Sequence, residues 1–166
     1  MASSRKTPQT WIKAGLKALS KSGVDGTRAE TLARALETTK GSFYWHFKDV
    51  PEFHSALLAA WEESVAKRFQ VAIGKETTAH LRLRALAGFQ VSALDLSVRA
   101  WALHDVRARK TVTAVDHMIL SEIDTQLSAL DATHPDFPGL ILASLLQAPN
   151  KGSHTETLVD LLLVLK

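Results

Sequence analysis

Apolar residues recur at intervals of three and four along most of this chain, and no useful window alternates as a strand would. In the first such stretch Ile12, Gly15, Leu16 and Leu19 share a face, while Lys13, Lys17 and Lys21 line the other, one turn apart. Thr7-Pro8 opens this helix, with proline at the first helical position, and Gly23 closes it. Thr27 and Glu30 have the spacing of a capping box for a second helix, in which Leu32, Ala33 and Leu36 fall on one side. Glu37-Thr38-Thr39 favours a turn over propagation. The next helix carries Phe43 and Phe47 one turn apart, with Gly41, Ser42 and Trp45 opposite them and Tyr44 and His46 flanking. Asp49 and Glu52 repeat the capping-box spacing and open a long helix to about Ile73, with Phe53, Leu57, Ala60, Trp61 and Val65 as its stripe. Ile12, Leu16 and Leu19 are expected to pack on Leu32, Leu36 and Phe43 in a three-helix head.

Beyond the loop at Gly74–Thr78 the same period predicts helices near 79–95, 97–105, 110–131, 137–147 and 155–165. The third of these holds Val112, Val115, Ile119, Ile123, Leu127 and Leu130 on one face. Between residues 158 and 165 only Asp160 is not apolar. A terminal helix apolar nearly all round does not suit a monomer's surface. With the apolar segment Leu140–Ala143 it predicts a two-fold homodimer, with Leu142, Leu145, Leu158, Leu161, Leu162 and Leu165 at the interface.

Charge sharpens this division. The net charge of the 166-residue chain is +3, but residues 1–50 carry 9 Lys/Arg against 4 Asp/Glu and the remainder 11 against 13. A basic head of net +5 on a near-neutral body suits binding to a polyanion. There is no cysteine, which excludes disulfides and thiolate metal sites. The seven histidines include no pair at i,i+3 or i,i+4, and no G-x-S-x-G is present, so neither a metal site nor a nucleophile is expected. His104-Asp105 and Asp116-His117 are helical neighbours pointing about 100° apart, unsuited to acid–base work. No enzyme and no cofactor are predicted. Neither a signal peptide nor an apolar run of about 18 residues appears, so no membrane association is expected and the predicted location is cytoplasmic.

Two short helices crossed at a turn, the second with a polar and aromatic outer face, form a helix-turn-helix candidate. The run TKGSFYWHFKD and the helix before it resemble the DNA-binding domain of the tetracycline-repressor (TetR) family of bacterial transcription regulators, over roughly residues 7 to 61. In the remainder, RAWALHDVRARKTVTAVDHM is the most family-like stretch. Two positions depart from the family: Glu37 stands where glycine is usual, and Thr38 where an aliphatic residue is usual. A non-glycine residue in a left-handed turn costs about 1 kcal/mol.

The resemblance implies an all-α protein. A helix-turn-helix domain at 1–50 would be joined by the long helix to a ligand-binding and dimerisation domain at 51–166. It implies that Lys40, Gly41, Tyr44 and His46 meet the DNA backbone or groove floor, and that Ser42 and Trp45 face the bases. Thr27 and Thr39, at helix starts, would meet phosphate, and Lys48 would add a charge contact. The implied partners are a palindromic duplex operator, a second copy of the chain and a small-molecule effector.

For the effector, Gln90 lies in an apolar arc of Leu83, Leu86, Ala93 and Leu94. Phe69, Phe89, Trp101 and Met118 are candidate walls of a cavity. Asp116, among Val112, Ile119, Leu120 and Ile123, either pairs with Arg99 or Arg107 or faces the ligand. The resulting reading is a repressor released by a small ligand. The rival is a ligand-independent DNA-binding or protein-interaction module on the same fold.

Overall fold

The structure is a computed structural model that describes residues 6–147 and 154–164, the Leu163 side chain excepted. These residues are helical throughout, without a strand. The helices are α1 (Pro8–Ser22), α2 (Ala29–Ala35), α3 (Lys40–Tyr44), α4 (Val50–Ile73), α5 (Ala79–Ala87), α6 (Ala93–Ala102), α7 (Val106–Ser128), α8 (Phe137–Leu146) and α9 (His154–Val164), with a 3-10 turn at Val24–Thr27. The chain divides into two compact units. The first is Met1–Glu63 with Ala93–Val112, and the second is Ser64–Ser92 with Thr113–Lys166. The expected division at residue 50 follows the chain, whereas the units do not: α6 and the start of α7 return to the first.

In the first unit the helix starts are as the sequence foretold at two of three places. Thr7 caps α1 by accepting from the Thr10 amide, with Pro8 at the first position. Gly23, at φ +68°, ends that helix by donating to the Leu19 carbonyl oxygen. Asp49 accepts from the Glu52 amide, while the Glu52 carboxylate accepts from the Lys48 amide one residue before the cap. The capping box expected at Thr27 is not there. Thr27 sits in the 3-10 turn and the α2 N-cap is Arg28, without a side-chain cap bond.

The first core is aromatic. Trp11, Phe43 and Phe53 are fully buried, with Phe43 meeting Trp11 edge-on at 5.3 Å and Phe53 at 5.0 Å; Phe47 lies 4.9 Å from Phe53. Leu32, Ala33 and Leu57 complete it, whereas Ile12, Leu16 and Leu36 are only partly buried at its margin. Gly15 permits the closest approach: a Cβ there would lie 2.6 Å from Phe53 Cζ and 2.7 Å from Leu57 Cδ2. Asp95 of α6 is buried and accepts a 2.8 Å bond from Trp61 Nε1 of α4. The buried carboxylate is therefore Asp95, and Asp116 is half-exposed.

In the second unit Val65, Phe69 and Ile73 of α4 are buried, as are Leu83 and Leu86 of α5, Val115, Ile119, Ile123 and Leu127 of α7, and Ile141 and Leu145 of α8. Helix α9 packs on α5 and α8, with Arg84 3.5 Å from Asp160 and the Ser144 and Thr155 hydroxyls 2.8 Å apart. The single helix expected over 79–95 is interrupted at 88–92, because Gly88 closes α5 by donating to Arg84 and Leu86 carbonyls.

The predicted dimer face needs revision. Leu142, Leu145 and Leu162 are already buried inside a single chain, so a partner has almost nothing further to cover there. Leu158 is half-buried, and Leu161 (55% exposed), Leu140 (49%) and Val164 (80%) point outward. Leu165 lies outside the described residues.

Candidate nucleic-acid interface

The turn that sets α3 is a Schellman motif. The Thr38 amide donates to Ala33 O at 2.9 Å and the Glu37 amide to Arg34 O at 3.2 Å, with Glu37 left-handed at φ +51°. The position where glycine was expected therefore does require a left-handed residue, and glutamate takes it under strain. Thr39 then caps α3 by accepting from the Ser42 amide at 3.3 Å.

This geometry divides α3 into an inner and an outer face. Phe43 and Phe47 turn into the aromatic core. Thr39, Lys40, Gly41, Tyr44, Trp45 and Lys48 are exposed, with Ser42 half-exposed among them. Trp45 is 72% exposed, an extreme value for an indole, and Tyr44 is 45% exposed with its ring edge against Phe43 at 5.2 Å. A Cβ on Gly41 would meet only Thr39 Oγ1, at 3.7 Å, so nothing inside the chain demands glycine there. Its absence of side chain keeps the outer face low for whatever approaches it.

The electrostatics on this face are local. Lys40 forms an ion pair with Glu30 of α2 and stands 5.8 Å over the Tyr44 ring. The hydrogen bond between them lowers the Glu30 carboxyl pKa and raises that of the Lys40 amine. Both side chains face solvent, so a phosphate can compete for the lysine.

Two residues predicted to touch DNA are instead engaged inward. Thr27 is 1% exposed; its hydroxyl donates to Val24 O at 2.6 Å and accepts from His54 Nε2 at 2.8 Å. No hydroxyl is left for a phosphate. His46 is half-buried and its Nε2 donates to Lys6 O at 2.6 Å, tying the chain before α1 to the end of the recognition segment. His54 itself was not anticipated. It stands 4.9 Å from the Trp101 ring, and burial first, then the Arg107 guanidinium, pull its pKa below the usual imidazole value. Arg107 bonds Asp105 and the Pro51 carbonyl oxygen, and its bond to Asp105 holds that carboxyl low.

Residues 12–49 match the family model of bacterial regulatory proteins, tetR family. The head of this chain is thus similar to the N-terminal segment of that family. The chain's whole fold is similar to that of several solved structures. A transcriptional regulator from Rhodococcus sp. Rha1 is 14% identical, with 96% of this chain and 95% of that chain covered at a TM-score of 0.70. A TetR-family member from Streptomyces coelicolor A3 is 18% identical, with 95% and 96% covered at 0.67. The multidrug binding protein EbrR, complexed with imidazole, is 16% identical, with 98% and 96% covered at 0.65. No curated protein sequence matches the chain. The family match covers the helix-turn-helix segment, and the likeness of the whole chain to these structures is one of fold. None of its described helices is long and apolar enough to cross a membrane.

The residues expected to form an effector cavity are divided between the two units. Trp101 belongs to the first unit and packs on His54. Phe69 and Phe89 belong to the second, 6.0 Å apart edge to face, with the Arg68 guanidinium 5.3 Å over Phe89. Asp116 and Met118 are half-buried. Gln90 lies in the 88–92 linker with its side chain exposed, and its carbonyl oxygen accepts from Arg68 at 3.2 Å. The premise of a polar amide in an apolar arc fails because the helix that would create the arc ends at Ala87.

Proposed function

We propose that the protein is a cytoplasmic repressor that binds a palindromic duplex operator as a homodimer and releases it when a small molecule binds its body. The observation that carries this reading is the outer face of α3, where an exposed indole, an exposed phenol and a glycine without internal need stand beside Thr39, Lys40, Ser42 and Lys48. Exposing Trp45 to this degree has a cost in water and a use against base edges, where an indole meets a thymine methyl. Lys40 and Lys48 then contact phosphates, Thr39 and Ser42 supply hydroxyls, and Tyr44 donates its phenol to the backbone. His46 acts by anchoring Lys6 beside this face.

The outward Leu140, Leu161 and Val164 of α8 and α9 form the dimer contact. In a two-fold dimer of helix-turn-helix heads the recognition helices stand about 35 Å apart, one turn of DNA. Helix α4 supplies residues to both units, making it the direct path by which an effector shifts that spacing by the few ångströms that break register.

The test is a selection of bound duplexes from random DNA at about 0.1 M salt, a regime in which phosphate contacts are still strong. The wild type should enrich a palindrome. Trp45→Ala should bind with relaxed base preference. Lys40→Ala should weaken binding to all sequences and flatten the salt slope by roughly one unit per subunit. A wild type that enriches no sequence refutes the repressor reading.

A further inference from the structure

A groove with a cavity volume of about 620 Å³ runs along the first unit between α1 and α2. Ala14 and Ala18 of α1 and Leu32, Ala35 and Leu36 of α2 give it an apolar floor. It exists because its α1 floor positions are alanines and because Gly26 keeps the intervening turn tight; a Cβ on Gly26 would press on Ala18 O and Ser22 Cβ, each at 3.1 Å. Along one rim stand Lys13, Lys17 and Lys21, all exposed and one turn apart, spanning about 12 Å of helix. No carboxylate lines the groove, and among the described residues none of the three lysines takes part in an ion pair.

Three uncompensated cations beside an apolar trough select a ligand that carries both features. A duplex needs the cations but gains nothing from the floor, since its phosphate backbone offers no apolar surface. A partner helix needs more wall than α2 provides in its seven residues, and a standard protein interface buries about 1,200–2,000 Å². The groove's volume lies within the roughly 300–1,000 Å³ of small-molecule sites.

We propose that this groove binds an amphiphilic anion, an apolar chain ending in a carboxylate, sulfate or phosphate. The chain lies on Ala14, Ala18 and Leu36, and the head group sits among Lys13, Lys17 and Lys21. The site is separate from the outer face of α3 and from any effector site in the second unit, and it stands whether or not the operator reading does.

The test titrates the full ¹⁵N-labelled chain with sodium decanoate below its micellar range, with decanol and decyltrimethylammonium as uncharged and cationic controls. Decanoate should shift amides of α1 and α2, and the shifts should weaken as salt rises. Decanol, the cation, and the Lys13→Gln/Lys17→Gln/Lys21→Gln variant titrated with decanoate should each bind weaker by on the order of tenfold, the sum of several exposed charge contacts. Ala18→Leu, which fills the floor, should abolish the shifts while leaving the helical content unchanged. The proposal is overturned if decanol binds as tightly as decanoate, if the lysine variant or the folded Ala18→Leu chain binds undiminished, if the shifts fall on α5 to α9 instead, or if decanoate moves nothing.

Discussion

Replacing Gly15 by alanine tests whether the contact between α1 and α4 is as tight as its geometry states. Alanine is the better helix former and alone would stabilise α1 by about 0.8–1.0 kcal/mol. Against this, the new methyl would lie 2.6 Å from Phe53 Cζ, 2.7 Å from Leu57 Cδ2 and 3.2 Å from Phe53 Cε1. Those atoms end side chains that could swing away on a surface, but Phe53 and Leu57 are both fully buried, and Phe53 is boxed by Phe43 and Phe47. Overpacking of this kind costs about 1–3 kcal/mol. With so little room the upper part of that range applies, and the net loss should be roughly 1–2 kcal/mol. Urea unfolding followed by tryptophan fluorescence reads it directly, since Trp11 and Trp61 lie buried in this unit. A companion variant isolates the cause. Leu57→Ala costs about 2–5 kcal/mol alone, yet it vacates the space the new methyl needs. The double variant should therefore lose less than the sum of the singles. A Gly15→Ala midpoint equal to or above the wild type, or strict additivity with Leu57→Ala, would refute the tight-contact reasoning.

Glu37→Gly should raise the urea midpoint slightly, by up to about 1 kcal/mol, because relief of the left-handed strain exceeds glycine's extra chain entropy; Glu37→Val should lower it. His54 binds its proton less readily when folded, so its contribution is complete above the ordinary imidazole value of about 6.5 and is lost as pH falls below it towards the depressed folded value. Wild-type stability should therefore decline between about pH 7 and 5 more steeply than that of His54→Gln; parallel curves would exclude His54 as the source. Leu161→Glu should yield monomers in light scattering with weakened operator binding and an intact fold, whereas an unchanged dimer would place the interface elsewhere.

The head was legible because its signals are local and independent. Thr7-Pro8, Gly23 and Asp49 with Glu52 each name a helix end through their own backbone chemistry, and all three ends are where they point. The turn at Glu37-Thr38-Thr39 was legible from residue types that cap better than they propagate, whereas its left-handed residue was suggested only by the family's usual glycine there. Trp11 was not singled out because Ile12, Gly15, Leu16 and Leu19 form a full apolar arc without it; only packing against Phe43 shows which edge of the arc turns inward. Thr27 deceived because a threonine three residues before a glutamate has the spacing of a cap whether its hydroxyl faces an amide or a histidine 27 residues away. In α9, apolar on all sides, periodicity carries no information on which leucines face home. Leu162 was thus assigned to a partner that its own unit already replaces. Gln90 failed for the converse reason: Gly88 breaks the helix whose phase placed it.

The return of residues 93–112 to the first unit has a consequence for the order in which the chain is made. When Glu63 leaves the ribosome the recognition helix is already synthesised, but the unit is not. Trp61 Nε1 still lacks Asp95, and His54 still lacks the Trp101 ring and Arg107 beside it. Residues 64–112 must follow first, which at roughly 5–20 residues per second takes on the order of several seconds. Through that interval α3 waits on a nascent chain with the α6 side of α4 uncovered. The second unit's own residues, Ser64–Ser92, emerge before the first is finished. Rare codons between 64 and 112 would lengthen the wait, and a truncation after residue 63 would make it permanent.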